Sequence, residues 1–378
     1  MLGDRRVVVV GAGVAGLAVA TALAQRGARV CVLEQAARIA EVGAGLQISP
    51  NGAAVLAALG LGDALRAGGV LNRAVELRDY ARGRPVLRLD LARHHSGPHP
   101  FVLIHRARLI GLLETAARNA GVEFRLGETA DPATLDAPLV IGADGVKSAT
   151  RRLLNHESEP FFTGQVAWRA VIRDDAVPEA HVYMGPGRHL VTYPLSDGLR
   201  NIVAVEERAQ WAQEGWNHTD DPANLRAAFT GFAPEVLDWL EQVETVNLWG
   251  LFRHPVAPRW CDARRVLAGD AAHPTLPFLA QGANLALEDA WVLADCLNRL
   301  PQAEALAAYQ AGRQPRVARA IRAANGNARN YHLRNRLVRG LAHGALRLGG
   351  RILPQAPLKR FAWLYDHDVT GPAGQRPA

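Results

Sequence analysis

One stretch, RVVVVGAGVAGLAVATALAQRGARVCVLE (residues 6–34), constrains the fold more tightly than any other part of the chain. Residues 7–10 are an unbroken β-branched run of valines, the pattern of a strand buried on both faces of a parallel sheet. Glycines follow at once, then helix-forming residues that stop at Gly27, then ARVCVLEQ as a second strand. Together they predict a βαβ unit of about thirty residues. Gly11, Gly13 and Gly16 stand in GxGxxG order: the first makes the tight turn, the second lets the backbone approach a pyrophosphate, and the third permits close helix–strand packing. The helix beyond them turns its free N–H groups and dipole toward the phosphates. Glu34, ending the second strand, can accept both ribose hydroxyls of an adenosine while repelling a 2′-phosphate. A solvated surface acid is the competing reading.

A length of 378 residues suggests about two lobes. With 49% hydrophobic and 21% charged residues, an ordinary soluble globule is expected. The apolar run after the N-terminus is too short for a signal peptide, and no later segment is long enough to span a membrane. Cys31, Cys261 and Cys296 have no metal-type spacing, so a reducing, cytoplasmic setting and three inert thiols are expected. The net charge of +7 comes almost wholly from arginine, since Lys147 and Lys359 are the only lysines. The arginines are scattered, without the aromatic interleaving of a nucleic-acid face, so nucleic acid is not expected as a partner and attraction of small anions is.

Helices are predicted over Pro50–Arg66 and Arg106–Ala120, and PLVIGADG reads as a short strand running into a turn. From about Phe161 to Trp249 the pattern changes to short alternating strands, VAWRAVI, HVYMG, HLVTYPL and NIVAVEE, parted by Gly, Pro and Asp turns. RRVLAGDAAH then returns to the first style, followed by helical patterns to about residue 325. The expected fold is α/β: a Rossmann-like nucleotide domain (1–75, 98–157, 258–325) with an inserted, mostly antiparallel β-sheet substrate domain (76–97, 158–257) and C-terminal helices (326–378). The tail GPAGQRPA reads as disordered.

The glycine motif does not separate FAD from NAD, but two later motifs do. VIGADGVKSATRR sets Asp144 and Gly145 after a strand; RRVLAGDAAHPTLPFLAQGANLALEDA sets Asp270 after another, then Pro274, Pro277 and the Gln281–Asn284 turn that opens a helix. With GAGLQISPNG, HRARL, VAWRA, HLVTYPL and a closing WLYDHD, the chain resembles the single-component FAD-dependent aromatic hydroxylases, such as those of para-hydroxybenzoate, salicylate, 3-hydroxybenzoate and 6-hydroxynicotinate. The resemblance runs over nearly the whole chain.

It implies that Gly11, Ala12, Gly13, Val14, Ala15 and Gly16 bind the FAD pyrophosphate and Glu34 the adenosine ribose. Arg106 would reach the diphosphate or ribityl region, Leu126 would meet the adenine through its backbone, and Asp270 would bond ribityl hydroxyls. Gly282, Ala283 and Asn284 would bring backbone N–H groups to the flavin N1–C2=O edge, where the reduced ring carries negative charge. Asp144 belongs to a motif used near the pyrophosphate and in handling the nicotinamide, though it can equally shape a turn; Arg106 can be a surface arginine at a helix start. Two departures stand out. Ala280 replaces a glycine that is usual before Gln281, and the segment between Leu126 and PLVIGADG lacks the β-meander that relatives carry, which should shrink the outer sheet of the nucleotide lobe.

The reaction implied is hydroxylation of a small aromatic acid or phenol with NADH or NADPH and O2 through a flavin C4a-hydroperoxide, the nicotinamide docking transiently because no second dinucleotide fold is present. An ordinary phenol has a pKa near 10, so ionising it near neutrality calls for a base, and histidine suits that task. His189 and Tyr193, four apart in RHLVTYPL, share one face of a strand that looks like a buried edge. In the 6-hydroxynicotinate and 3-hydroxybenzoate relatives a His-x-x-x-Tyr pair lines the substrate pocket, which implies that His189 tunes the phenol and Tyr193 positions it. A core histidine bonded to a carbonyl is the alternative. Gln47, Pro274 and Gln281 are further pocket candidates, and His273 reads as structural. Two other classes remain open. One is a peripheral-membrane hydroxylase of a prenylated ring, suggested by the basic amphipathic YHLRNRLVRGLAHGALRLGGRIL, whose leucines are nevertheless expected to pack against the protein. The other is a non-hydroxylating flavoprotein. A monomer or homodimer, with no metal and no membrane, is expected.

Overall fold

A computed structural model describes residues 2–39, 45–95, 97–155, 160–209 and 218–371. Most of the tail read as disordered lies outside them.

The Val7–Val10 strand sits at the centre of a five-stranded parallel sheet. The order is Arg265–Leu267, Leu139–Gly142, Arg6–Val10, Arg29–Glu34, Glu123–Leu126. The chain first builds rightward from the central strand and then returns to its left, so the order reverses between Arg6–Val10 and Leu139–Gly142. Such a reversal opens a crevice beyond the carboxyl ends of the strands. The helix Val14–Ala24 is buried from Val14 to Leu23 because it is wedged between the helices Gly282–Arg299 and Arg106–Asn119. Its alanines and Gly16 allow that wedge: a Cβ built on Gly16 would stand 1.9 Å from the Gly11 carbonyl oxygen. Among the described residues no strand intervenes between Leu126 and Leu139, so the nucleotide lobe is as trimmed as its short segment predicts.

The predicted helix from Pro50 to Arg66 is two helices, Pro50–Ala58 and Gly62–Gly68. Gly60, at φ +83°, turns the chain between them. A three-stranded sheet (Gly45–Ile48, Val102–His105, Val70–Leu71) leads Gln47 and Arg106 toward the crevice.

The second large sheet has eight strands in the order His218–Asp220, Val246–Arg253, Phe161–Arg173, Leu199–Glu207, Arg188–Leu195, Glu179–Gly185, Ala74–Asp79, Pro85–Asp90. All its pairings are antiparallel except Glu179–Gly185 with Ala74–Asp79. RHLVTYPL is therefore not an edge strand, as its sequence suggested, but is paired on both sides. One face of the sheet buries Trp168, Tyr183, Leu190 and Ile202 under Phe229, Val236 and Leu240 of two short helices. The other face, carrying Ala167, Val203, Val205 and Trp249, looks back toward the nucleotide lobe.

The helix Gln302–Tyr331 is followed by Arg336–Ile352 and Ala356–Tyr365, which cross over the space between the two large sheets. Arg347 Nε donates to the Pro85 carbonyl at 3.0 Å and ties the crossing helix to the sheet edge. The expectation that the leucines of this stretch pack inward is met only in part. Leu333 and Leu346 line the cavity with Ala342, His343 and Ala345, whereas Leu337, Leu341, Leu348 and Ile352 are exposed. No described helix is long and apolar enough to cross a membrane.

Candidate active site

A cavity of about 940 Å³ lies between the parallel sheet, the eight-stranded sheet and the crossing helices. That is the upper end of the range for a single small ligand, roughly 300–1,000 Å³, and leaves room for a long one.

Its nucleotide end is formed by Gly13, Val14 and Ala15 with Ala143, Gly145 and Val146, at the point where strand order reverses. Gly11 adopts φ +100°, and a Cβ there would lie 2.5 Å from the Ala143 carbonyl oxygen, so only glycine fits the turn. Open space surrounds the position a Cβ would take on Gly13, as close approach of a ligand requires. Glu34 is not a freely solvated acid. Its carboxylate accepts from Ala12 N at 2.8 Å and Ala36 N at 2.9 Å, which anchors it beneath the glycine loop. Leu126 pairs in register with Glu34 at the outer end of the sheet, half-exposed and off the cavity wall.

Of the two readings of Asp144, its hydrogen bonds are those of the turn-shaping one. Its carboxylate accepts from Ser148 Oγ at 2.5 Å and from Thr150 N and Oγ1 at 3.1 and 3.2 Å. It shapes the ADG turn and the following helix start, and its neighbours Ala143 and Gly145 line the cavity instead. Arg106 and Asp270 both face the cavity. Burial pushes the Asp270 carboxyl up, opposed by His273, Arg106 and His254.

Gly282 and Ala283 line the cavity where the helix Gly282–Arg299 begins. Its first intrahelical bond runs from Leu285 N to the Gln281 carbonyl, so the N–H groups of Gly282, Ala283 and Asn284 are the free donors of the helix end. The Asn284 side chain serves another purpose: Oδ1 accepts from Ser49 N at 3.0 Å, and Nδ2 donates to the carbonyls of Gln47 and Ala280 at 3.0 and 2.8 Å. Gln281 touches the cavity, but its amide is engaged at both ends, donating to Ser49 Oγ at 2.9 Å and accepting from Asn51 Nδ2 at 3.1 Å. It acts as a strut, not as a free pocket donor. Gln47 and Pro274 line the wall. His273, bonded to Asp289 at 2.5 Å and buried, is structural as read.

At the other end His189, Val191 and Tyr193 point from one face of their strand into the cavity. Tyr193 lies beside Gly45, whose N–H donates to Asn201 Oδ1 at 2.7 Å; a Cβ on Gly45 would meet the tyrosine ring at 2.6 Å. Burial raises the Tyr193 hydroxyl above its ordinary range, partly offset by Arg169. The His189 Nδ1 lies 2.6 Å from His332 Nε2, and His332 Nδ1 lies 3.0 Å from Glu207 Oε1. Burial, and then His332, hold the His189 imidazole well below its usual range, which favours the neutral ring.

Arg169 was overlooked in the sequence. It lines the cavity with its guanidinium 4.4 Å from the Trp249 ring centroid. The signal was available: an arginine interrupts the apolar alternation of VAWRAVI on the same face as Ala167. His332 and Glu207 carried no such signal.

The donor set matches a flavin dinucleotide: a glycine turn, a ribose carboxylate position, a buried acid and arginine midway, and free helix N–H groups at the far end. Comparison with known proteins agrees. The model of the FAD binding domain family matches residues 4–130 and 125–324. The chain is 40% identical to 3-amino-4-hydroxybenzoate 2-monooxygenase of Streptomyces cremeus, over 87% of this chain and 88% of that one. It is 33% identical to 3-hydroxybenzoate 6-hydroxylase of Klebsiella oxytoca, over 86% and 89%. The crystal structure of Klebsiella pneumoniae HpxO complexed with FAD and uric acid superposes with a TM-score of 0.80 at 27% identity, covering 94% of this chain and 96% of that one. The chain belongs to the FAD binding domain family, among its flavin-dependent aromatic monooxygenases.

Proposed function

We propose that this enzyme hydroxylates the ring of a small phenolic acid, with NADH or NADPH as a transiently docking reductant. The observation that carries this is one strand face: His189 and Tyr193 look into the same cavity as the free N–H groups at the start of Gly282–Arg299. The names of the relatives, acting on 3-amino-4-hydroxybenzoate and 3-hydroxybenzoate, support a ring bearing both a hydroxyl and a carboxylate.

FAD, once bound, couples oxidation of the nicotinamide to insertion of one oxygen atom of O2 into the ring. The glycine loop, Glu34, Arg106 and Asp270 would hold it, with Leu126 at its adenine end. The helix donors of Gly282, Ala283 and Asn284 would stabilise negative charge at its reacting edge. Neutral His189 accepts the phenol proton, Tyr193 orients the ring, and Arg169 supplies positive charge to match a carboxylate. The helices Arg336–Ile352 and Ala356–Tyr365 exclude water from above.

The test is the flavin-loaded protein assayed with hydroxybenzoates and aminohydroxybenzoates. Substrate-stimulated NAD(P)H and O2 consumption is expected, with a product one oxygen heavier, and His189→Ala should retain FAD while losing about 100-fold in hydroxylation of a neutral phenol. Nicotinamide oxidation without ring oxidation across the series would sink the reading.

A second reading concerns where the enzyme works. Exposed Leu337, Leu341, Leu348 and Ile352, flanked by Arg336, Arg339, Arg347 and Arg351 with no acid in the helix, suit an anionic membrane surface and an apolar-chain substrate.

A further inference from the structure

We propose that His189, His332 and Glu207 form a proton wire connecting the substrate hydroxyl to solvent, with the surface carboxylate dictating that His189 meets the substrate as a base. This rests on the reading of His189 as the phenol's partner and extends it to two residues that touch neither ring nor cofactor.

The geometry is continuous. His189 Nδ1 and His332 Nε2 are 2.6 Å apart, and His332 Nδ1 is 3.0 Å from Glu207 Oε1. His189 and His332 are both buried, whereas the Glu207 side chain is 30% exposed and receives Arg334 Nη2 at 2.5 Å. One end of the chain is therefore the cavity and the other is water. The three groups come from separate elements: the strand Arg188–Leu195, its neighbour Leu199–Glu207, and the residue after the helix Gln302–Tyr331.

The direction of every hydrogen bond follows from the carboxylate. An ionised Glu207 can only accept, so His332 Nδ1 carries a proton. A neutral His332 then has a bare Nε2, which must accept, so His189 Nδ1 carries a proton in turn. A neutral His189 is left with a bare Nε2, and among the described residues no hydrogen bond engages that atom. Burial favours the neutral form of both rings. Burial lowers the basicity of His189, and burial lowers that of His332 against the opposing pull of Glu207. Burial pushes the Glu207 carboxyl up, but Arg334 and His332 outweigh it, so Glu207 is ionised near neutrality. The other groups against His189 are Tyr331 and Phe278, with ring centroids at 5.3 and 6.0 Å, and Met184 opposite it on the strand Glu179–Gly185. Of these only Tyr331 titrates, and burial pushes its hydroxyl up to about 12.

The proton balance closes. The phenol proton moves to His189 Nε2, the Nδ1 proton of His189 to His332 Nε2, and the Nδ1 proton of His332 to Glu207, which gives it to water. The substrate becomes a phenolate without leaving an imidazolium buried in the cavity, which low polarity would penalise. When the hydroxylated ring regains aromaticity, its ketone oxygen takes a proton back by the reverse hops, and both imidazoles return to their starting tautomers. A histidine bonded to a carbonyl would have one fixed tautomer and no route to water.

The test uses FAD-loaded full-length enzyme, with Glu207→Gln and His332→Gln compared with wild type. The probes are 3-amino-4-hydroxybenzoate and the more acidic 4-hydroxy-3-nitrobenzoate, the latter assayed above its own pKa so that it enters as phenolate. The readouts are phenolate absorbance of the bound probe against pH and the rate of probe-stimulated NAD(P)H oxidation. Both variants are expected to keep flavin absorbance and thermal midpoint. Ionisation of the bound amino compound should shift to higher pH and its turnover fall about 10- to 100-fold, while the pre-ionised nitro compound is handled as by wild type. Equal losses with both probes, or an unchanged pH profile with the amino compound, would overturn the wire. Should His332→Gln fail to fold, Glu207→Gln at the surface decides alone. If His189→Ala leaves the ionisation of the bound amino compound unchanged, the base reading itself falls; if only that variant alters it, the wire alone falls.

Discussion

At the scale of single residues, Ala280 shows how a departure from a family pattern is felt physically. It closes the 3-10 turn before Gln281 at φ +52°, ψ +36°, a left-handed conformation that glycine adopts freely and a Cβ resists. Ala280→Gly should relieve that strain, offset in part by the extra freedom of an unfolded glycine. The expected gain is about 0.5–1 kcal/mol, seen as a rise of roughly 1–3 °C in thermal midpoint. A lower midpoint would mean that the methyl group's packing outweighs the strain. Residue identity also shows where sequence reading stops. Gly16 was legible because it is demanded by a backbone contact five residues away, and Gly11 because its turn needs a left-handed φ, although the carbonyl it clears belongs to distant Ala143. Asp144, Gln281 and the Asn284 side chain have the chemistry of ligands, yet their polar atoms are taken by protein partners that spacing alone does not reveal.

At the scale of elements, the helix Gly282–Arg299 has to present its N-terminus at a fixed place, and its middle is pinned to do so. Buried Glu288 accepts from Arg313 Nη1 at 2.5 Å, Arg316 Nη2 at 2.7 Å and Asn51 Nδ2 at 2.6 Å. Asp289 accepts from Arg313 Nε at 2.8 Å and Gly269 N at 3.0 Å. The cluster thus joins this helix to Gln302–Tyr331, to the turn bearing Asp270 and, through Asn51, to the start of the helix Pro50–Ala58. Arg313→Met would leave two buried carboxylates short of a partner and should cost about 3–5 kcal/mol of stability, read by denaturant unfolding. Burial pushes the Glu288 carboxyl up, but Arg313 and Arg316 hold it at about 2, below its ordinary 4.5. A carboxyl lowered on folding contributes stability that is complete above its unfolded value and lost as pH falls toward its folded one. The enzyme should therefore lose stability between about pH 4.5 and 2. In Glu288→Gln the acid dependence across that window should be shallower, and an equally steep loss would assign it to other carboxyls.

At the scale of the whole molecule, the cavity exists because the crevice at the strand ends of the parallel sheet opens onto one face of the eight-stranded sheet and is roofed by the last two long helices. That roof turns Ala342 and His343 inward and a leucine stripe outward. If the stripe meets a membrane surface, the enzyme should co-sediment with phosphatidylglycerol vesicles at low salt and be released by high salt, and Leu341→Asp with Leu348→Asp should abolish the association without changing flavin content. Absence of co-sedimentation at low salt would remove the second reading and leave the phenolic-acid reading untouched.

The sequence by itself determined the cofactor lobe: a buried valine strand, a glycine turn and a carboxylate at the second strand's end depend on local sterics and period, which neighbouring residues specify. It also determined that His189 and Tyr193 share a face, since alternation along a strand needs no tertiary information. Only the tertiary structure decided what that face meets. His332 lies 143 residues from His189 and 125 from Glu207, and no local rule couples positions so far apart. The packing of the end of the helix Gln302–Tyr331 against the sheet brings the three together, because hydrogen bonds between side chains follow three-dimensional proximity and not sequence spacing.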